Sequence, residues 1–123
     1  MTTKILIADD EPNILISLEF LMKREGYEVH LARDGQEALE LLRRERPRLV
    51  LLDVMMPKKS GFEVCQELRA DEALRDTLVL MLSAKGRDTD VDKGLGVGAD
   101  AYMTKPFSTK DLAAKVAQML GAA

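Results

Sequence analysis

The sequence predicts an α/β domain with a doubly wound, five-stranded parallel sheet in the order 2-1-3-4-5, flanked by five helices. Its 123 residues fit one compact domain, 1–123, and the hydrophobic share of 46% is enough for a buried core. Five short apolar runs alternate with segments that have the period of an amphipathic helix. Alternation of this kind makes the strands parallel and places helices on both faces of the sheet.

The five apolar runs supply the strands. The first, third and fourth are unbroken, as expected of strands that are buried on both faces. The second alternates polar and apolar residues, which is typical of an edge strand and favours the stated strand order. The runs cover residues 5–8, 29–32, 49–52, 78–82 and 101–103.

Most of the helices have recognisable starts. The first begins at Pro12, a residue favoured in the first turn, and is followed by Gly26 as a C-terminal cap. Three later helices follow a capping residue that has an acid three positions on, the capping-box pattern. These capping residues are Asp34, Ser60 and Ser108.

The fourth helix is predicted within residues 88–98 and contains Gly94 and Gly96, with Gly98 as its cap. A glycine inside a helix costs about 1 kcal/mol relative to alanine. Two interpretations stay open. The helix is simply short, or it is weak so that a conformational switch can reshape it.

Composition excludes several classes of function. A net charge of -3 gives no broad basic field, which argues against direct binding to nucleic acid or to a membrane surface. The basic fragment 43–46 is interrupted by Glu45 and is interpreted as a solvated helix end. Cys65, the one cysteine, is expected in the core, and the one histidine, His30, is expected to be structural or at the surface. With no membrane-length apolar run and no signal peptide, we expect a cytoplasmic protein.

Polar side chains follow four of the predicted strands. They are Asp9 and Asp10 after the first, Asp53 after the third, Ser83 after the fourth and Lys105 after the fifth. Each has an ordinary explanation alone: a helix cap for Asp10, a turn for Asp53, a loop hydroxyl or a solvated charge for the others. In a parallel sheet, however, the carboxyl ends of the strands meet at one edge, where ligands bind. Crowded carboxylates repel one another, so this edge predicts a bound cation.

The donor types indicate which cation and which chemistry. Oxygen ligands without a histidine or cysteine cluster suit Mg²⁺ or Ca²⁺, and few carboxylates favour Mg²⁺, which shares its shell with phosphate oxygens. Lys105 and Ser83 would then donate to the remaining phosphate oxygens. Asp53 ends a central strand and is the candidate nucleophile, because aspartate forms covalent phosphoryl intermediates.

The ordered set of motifs resembles the response-regulator receiver domain of bacterial two-component signalling, the CheY-like version of the flavodoxin-like fold. The resemblance covers essentially the whole chain. Ser83 and Lys105 also lie at the expected spacing, 30 and 52 residues after Asp53. The matching segments are residues 5–11 (ILIADDE), 51–57 (LLDVMMP), Gly61, 82–84 (LSA) and 98–107 (GADAYMTKPF).

The resemblance implies a role for each residue of the site. Asp53 receives a phosphoryl group from a phosphohistidine of a sensor kinase or phosphotransfer protein. Asp53, Asp10 and the backbone carbonyl of Met55 bind Mg²⁺, while Asp9 acts through the water molecules of the metal. Lys105 pairs with Asp53 before transfer and with the phosphoryl group afterwards, and the peptide bond before Pro106 is cis.

The resemblance also implies a switch. Ser83 moves to bond the phosphoryl group, Tyr102 turns inward, and the surface of the fourth helix, fifth strand and fifth helix then controls an unknown downstream protein. The chain is expected to catalyse only its own phosphorylation and dephosphorylation, and to be a monomer or a phosphorylation-dependent dimer. Because Met55 offers no polar group to orient a water, self-dephosphorylation should not be fast. We favour a complete single-domain regulator over a part of a longer protein.

Three other functions fit the sequence less well. A Mg²⁺-dependent aspartyl phosphatase usually has a second acid two residues after its nucleophile, where this chain has Met55. A flavin-binding protein of the same fold would need a phosphate loop rich in Ser, Thr and Gly after the first strand, where Asp9 and Asp10 would repel phosphate. A purely structural interaction domain would be expected to lack one or more of the key residues.

Overall fold

The sheet and most helices form where the sequence predicts them. A computed structural model describes residues 2–84 and 98–121. The strands are β1 (Lys4–Ala8), β2 (Glu28–Ala32), β3 (Leu49–Asp53), β4 (Leu78–Ala84) and β5 (Ala101–Lys105). The helices are α1 (Pro12–Arg24), α2 (Gly35–Glu45), α3 (Gly61–Ala70) and α4 (Thr109–Met119), with a short 3₁₀ turn at Glu72–Leu74.

All five strands are parallel and run in the order β2-β1-β3-β4-β5, as predicted. The register pairs Ala8 with Leu52 and Asp53 with Leu82. It also pairs Ala84 with Lys105, the last residue of β5. The carboxyl ends of the central strands therefore meet at one edge of the sheet.

The helices cover both faces of the sheet because strand side chains alternate between two hydrophobic cores. Leu6, Val50 and Met81 belong to one core with α2 and α3, whereas Ile5 and Leu49 belong to the other with α1 and α4. Every residue of β3 is buried, as its unbroken apolar run predicts. Cys65 is fully buried in the first core, which confirms that prediction.

The predicted helix starts are confirmed by their hydrogen bonds. Asp34, Ser60 and Ser108 each accept a bond from the backbone N–H three residues later, and Ser60 completes a full capping box. In α2 the returning carboxylate of Glu37 accepts instead from the N–H of Arg33 at 2.8 Å, one residue before the cap. Gly26 adopts a left-handed φ of 94° after α1, which only glycine adopts at low cost.

The described residues contain four α-helices, and α4 corresponds to the fifth predicted helix. The helix predicted within residues 88–98 lies outside the described residues except for its last position. The two interpretations of Gly94 and Gly96 lie there as well. Its cap, Gly98, is described and has the left-handed φ expected of a helix end, 103°.

Within residues 2–84 and 98–121, no helix is long and apolar enough to cross a bilayer.

Candidate functional site

The site lies at the carboxyl edge of the sheet, where three of the strand ends each contribute a charged residue. Asp9 directly follows β1, Asp53 ends β3 and Lys105 ends β5. Ser83 lies in β4, one residue beyond the register partner of Asp53. The structure thus brings together the polar residues that the sequence assigned to this edge.

Three carboxylates form a compact acidic cluster. One carboxylate oxygen from each of Asp9, Asp10 and Asp53 lies within 4.8 Å of the others. Asp9 is fully buried and Asp53 is 6% exposed, whereas Asp10 is exposed. The N-cap of α1 is Glu11, so the explanation of Asp10 as a helix cap is wrong. Helix capping therefore does not account for the acid at position 10.

Lys105 is the cation in contact with this cluster among the described residues. Its Nζ lies 2.9 Å from Oδ2 of Asp9 and 3.3 Å from Oδ1 of Asp53. The resemblance implied a pair with Asp53, and the structure adds the shorter bond to Asp9. The Lys105–Pro106 peptide is cis, as the resemblance implied. One ammonium group thus faces three carboxylates, which leaves the cluster with an excess of negative charge.

Burial and the crowded charges together change the acidity of the site. Burial, followed by the charge of Asp9, raises the pKa of Asp53 to about 6, although Lys105 acts in the opposite direction. Burial lowers the pKa of Lys105, but its hydrogen bond to Asp9 and the charge of Asp53 outweigh that effect, so the pKa rises overall. A bound cation would relieve the repulsion between the carboxylates.

The two predicted switch residues lie on the same face of the sheet. Ser83 pairs with Thr104 and Met81 with Tyr102, so Ser83 and Tyr102 are two positions apart along adjacent strands. Ser83 is 1% exposed. Tyr102 is partly buried and packs against the core beside α2 and α3. This placement is compatible with coupling between them, and their roles stay predictions.

A glycine fixes the backbone of Asp53 against helix α3. A Cβ atom at Gly61 would lie 2.3 Å from the carbonyl oxygen of Asp53, far inside contact distance. The N–H of Gly61 also donates to the carbonyl of Val54 at 2.9 Å. The resemblance included Gly61 without a physical reason, and the close approach of α3 to β3 supplies one.

A second close approach was missed from the sequence. A Cβ atom at Gly35, the first residue of α2, would lie 2.2 Å from the carbonyl oxygen of Lys59, in the loop after β3. Lys58 in the same loop has a left-handed φ of 69°, and its Nζ lies 3.6 Å from Oδ2 of Asp34. Glycine directly after a helix cap disfavours the helix, and that unfavourable choice was the available signal.

Large apolar side chains are exposed on the elements that follow the acids. Ile16 and Phe20 of α1 are 63% and 69% exposed, and Met55, two residues after Asp53, is 58% exposed. Arg24 stacks its guanidinium 5.9 Å from the centre of the Phe20 ring. A shallow groove of about 440 Å³ runs along this part of α1, lined by Ile16, Ser17, Phe20, Leu21, Arg24 and Thr109.

Comparison with known proteins gives a consistent result. The family described as the response regulator receiver domain matches residues 5–117. A signal receiver domain of a histidine kinase from Syntrophus aciditrophicus is 33% identical, with a TM-score of 0.91 over 99% of this chain and 92% of that one. Chemotaxis response regulator CheY4 of Vibrio cholerae is 30% identical, with a TM-score of 0.90 over 96% and 98%.

A third similar structure contains a metal ion. It is the receiver domain of a sensor histidine kinase from Pseudomonas aeruginosa PAO1, with a magnesium ion coordinated in its active-site cleft. It is 28% identical to this chain, with a TM-score of 0.90 over 98% of this chain and 99% of that one.

Proposed function

The chain belongs to the family of response regulator receiver domains, and from that membership we propose that Asp53 accepts a phosphoryl group from a phosphohistidine. The donor is a sensor histidine kinase or a phosphotransfer protein. The observation that supports this most is the buried carboxylate of Asp53 at the end of the central strand, 3.3 Å from Lys105 and beside two further acids.

Hydrogen bonding favours Asp53 over its neighbour as the nucleophile. Both carboxylate oxygens of Asp9 are engaged, Oδ1 by the N–H of Glu11 at 2.9 Å and Oδ2 by Lys105. Asp53 accepts from Lys105 through Oδ1, and its Oδ2 accepts no hydrogen bond from the part of the chain that the structure describes. That oxygen is the one we assign to attack on phosphorus.

The transfer itself asks little of the protein beyond position and charge. An oxygen of Asp53 forms a bond to phosphorus, the bond from phosphorus to the donor imidazole breaks, and the electron pair stays on the imidazole nitrogen. With a pKa of about 6, Asp53 is mostly ionised at neutral pH and has no proton to lose. Catalysis then consists of positioning and electrostatic stabilisation, to which Lys105 and Ser83 contribute donors.

We propose that the acidic cluster holds Mg²⁺. The residues present fit this ion, because the donors are oxygens alone and a single lysine leaves their negative charge uncompensated. Asp10 and Asp53 would bind directly, with the carbonyl of Met55 as a further ligand and Asp9 acting through water. When bound, the ion supplies positive charge to the oxygens of the phosphoryl group.

The output is assigned to a switch surface near Tyr102. Movement of Ser83 toward the phosphoryl group would let Tyr102 turn inward and alter the surface made by the predicted fourth helix, β5 and α4. A downstream protein would read that surface, with the chain as a monomer or as a phosphorylation-dependent dimer. The cytoplasm stays the predicted location, and turnover of any substrate beyond its own phosphoryl group is not expected.

The exposed apolar side chains of α1 support a protein as the donor. Ile16 and Phe20 lie one and two turns into α1, the helix that starts just after the acids, and most of each side chain faces solvent. A small phosphoryl donor has no use for such a surface, whereas a protein must dock before its imidazole can reach Asp53. We therefore assign this face of α1 to docking of the phosphoryl donor.

The test is phosphorylation of the whole chain by acetyl phosphate and by a histidine kinase, with and without Mg²⁺. Reduction of the acyl phosphate with borohydride converts the modified aspartate to homoserine, so mass spectrometry identifies the position directly. We expect homoserine at position 53 only. Asp53→Asn should not be labelled, and Mg²⁺ removal should reduce labelling strongly. Labelling of Asp53→Asn at the wild-type level would overturn the proposal.

A further inference from the structure

A second group of metal-binding side chains lies toward the amino end of the sheet, away from Asp53. Glu28 and His30 are two residues apart on the edge strand β2, so they lie on the same face of the sheet. Helix α2 packs against that face and ends at Glu45. One ligand atom from each of the three residues lies within 4.8 Å of the others.

We propose that Glu28, His30 and Glu45 form a second metal site, which binds a divalent transition metal ion of the Zn²⁺ type. The ligands are Nε2 of His30 and one carboxylate oxygen from each glutamate. A solvent water completes four-coordination. This site is independent of the proposed phosphoryl transfer.

The donor set distinguishes this site from the acidic cluster around Asp53. An imidazole nitrogen with two carboxylates suits Zn²⁺ and related ions, which bind nitrogen well. Mg²⁺ prefers oxygen donors and retains its water molecules, so it should select the all-aspartate cluster. The two ends of the sheet would therefore bind different metal ions, because they offer different types of ligand.

The distances are close to those that coordination requires. Ligands about 2.1 Å from Zn²⁺ in a tetrahedron lie about 3.4 Å from one another. Nε2 of His30 lies 3.6 Å from Oε1 of Glu45, which already matches. It lies 2.8 Å from Oε2 of Glu28, the length of a hydrogen bond, so this pair must separate slightly. The neutral imidazole would then hold its proton on Nδ1 and coordinate through Nε2.

Two cations now hold Glu45, and one of them, Lys4, occupies the oxygen that the metal would bind. Nζ of Lys4 lies 3.2 Å from Oε1 of Glu45, and Nε of Arg44 lies 3.0 Å from Oε2. The side chain of Lys4 is 39% exposed and that of Arg44 is 69% exposed, so each can turn into solvent. Exposed ion pairs of this kind contribute little to stability. Lys4 is thus a competitor for the metal, and its removal should strengthen binding.

The site would add a metal link between β2 and the end of α2, which already pack against each other. β2 is an edge strand, and no strand within residues 2–84 and 98–121 pairs with its outer backbone. A metal held by β2 and by the end of α2 would restrain that edge. Edge strands are where unwanted pairing with other chains begins, so the restraint has a use.

The experiment is a calorimetric titration of the whole chain with Zn²⁺ in the presence of excess Mg²⁺. Cobalt absorption reports tetrahedral coordination independently. His30 is the one histidine of the chain, so its ring signals in proton NMR report binding without further assignment. We expect one ion per chain, tetrahedral cobalt bands and a shift of the His30 ring signals.

Variants make the assignment specific. His30→Gln and Glu45→Gln should weaken binding at least tenfold, Lys4→Met should strengthen it severalfold, and Asp10→Asn should leave it unchanged. The unfolding temperature of each metal-free variant confirms that it folds. Unchanged binding in His30→Gln, loss of binding in Asp10→Asn, or wild-type affinity in the millimolar range would each overturn the proposal.

Discussion

The two ends of the sheet hold similar residues in different surroundings. Each end has three potential metal ligands within 4.8 Å and a lysine in contact with them. At the carboxyl end, Asp9 and Asp53 are buried and share one lysine. At the amino end, Glu45 is within ion-pair distance of Lys4 and Arg44 and is closer to solvent.

Burial and charge balance decide what each end can do. The pKa of Asp53 rises to about 6 because burial and a neighbouring carboxylate oppose its ionisation. The pKa of Glu45 is lowered, chiefly by hydrogen bonds from Arg44 and Lys4. A carboxylate whose ionisation is opposed gains from a bound cation, whereas one that is already neutralised must first give up its partners.

The largest difference expected between the two ends is in the stability lost when Lys105 or Lys4 is removed. Lys105→Ala leaves two buried carboxylates without a counter-charge, which should lower the free energy of unfolding by about 3 kcal/mol at pH 8 without metal. Lys4→Ala removes an exposed partner and should cost less than about 1 kcal/mol. Urea unfolding measures both. Equal losses in the free energy of unfolding would show that burial does not make the two ends different.

The same Lys105→Ala variant should be slow to accept phosphate. Loss of one preorganised donor at a developing charge typically slows a reaction by about 10²–10³-fold. Lys4→Ala should react at the wild-type rate with acetyl phosphate. Equal rates in the two variants would remove Lys105 from the proposed mechanism.

Neutralisation of one carboxylate at each end should change stability in opposite directions. The pKa of Asp53 is about 6 in the folded chain against an ordinary 3.8, so the folded state holds its proton longer and stability falls as the pH rises through that window. Asp53→Asn should therefore stabilise the metal-free protein at pH 8, by on the order of 1–2 kcal/mol, and much less at pH 4.

Glu45→Gln is the matched control for that change. Because the pKa of Glu45 is lowered, its ionised form contributes stability that is present above its ordinary pKa and lost as the pH falls. Its neutralisation should therefore be slightly destabilising at pH 8. Thermal unfolding at pH 4 and pH 8 measures both variants. If both were destabilised at pH 8, the contrast between the ends would be wrong.

The exposed apolar face of α1 offers a test of docking at the carboxyl end alone. Phe20→Ser should slow phosphorylation by a protein donor by about tenfold, because exposed aromatic side chains dominate many interfaces. Phosphorylation by acetyl phosphate should not change, since Phe20 is 69% exposed and far along α1 from the acids. Stopped-flow transfer from each donor gives the two rates. A parallel fall with both donors would indicate damage to the site instead of lost docking.

The smallest expected effect concerns loss of the phosphoryl group. Met55 lies two residues after Asp53, is 58% exposed, and has a side chain without a strong hydrogen-bonding group to orient an attacking water. Phospho-Asp53 should therefore persist well beyond seconds in Mg²⁺ without a phosphatase. Met55→Asn adds a hydrogen-bonding amide and should accelerate the decay by less than about tenfold. Decay of the wild type within seconds would contradict this assignment.

Features encoded in short stretches of the chain could be predicted from the sequence. The alternation of apolar runs placed the strands, and the capping residues Asp34, Ser60 and Ser108 placed three helices. Because parallel strands end at a common edge, the sequence also predicted that Asp9, Asp10 and Asp53 lie close together.

Features that depend on side-chain reach could not be predicted. The sequence did not show that Lys105 would approach Asp9 more closely than Asp53. That difference depends on how the fold positions Lys105 and Asp9, which are 96 residues apart in the chain. From the sequence, His30 and the region of Glu45 were interpreted separately, because only the fold brings this strand residue and this helix end together. Gly35 was overlooked because its reason, the carbonyl of Lys59, lies in a distant loop.

Gly61 offers a way to disturb the proposed phosphoryl acceptor, Asp53, without any change of charge. The space beside the Asp53 carbonyl admits a hydrogen atom and nothing larger, since a carbon there would lie at 2.3 Å. A single added methyl group must therefore push β3 and α3 apart. Displacement of a reacting group by about 1 Å can cost 10²-fold in rate. The proposed chemistry of Asp53 would thus depend on the lack of a Cβ atom at residue 61, eight positions further along the chain.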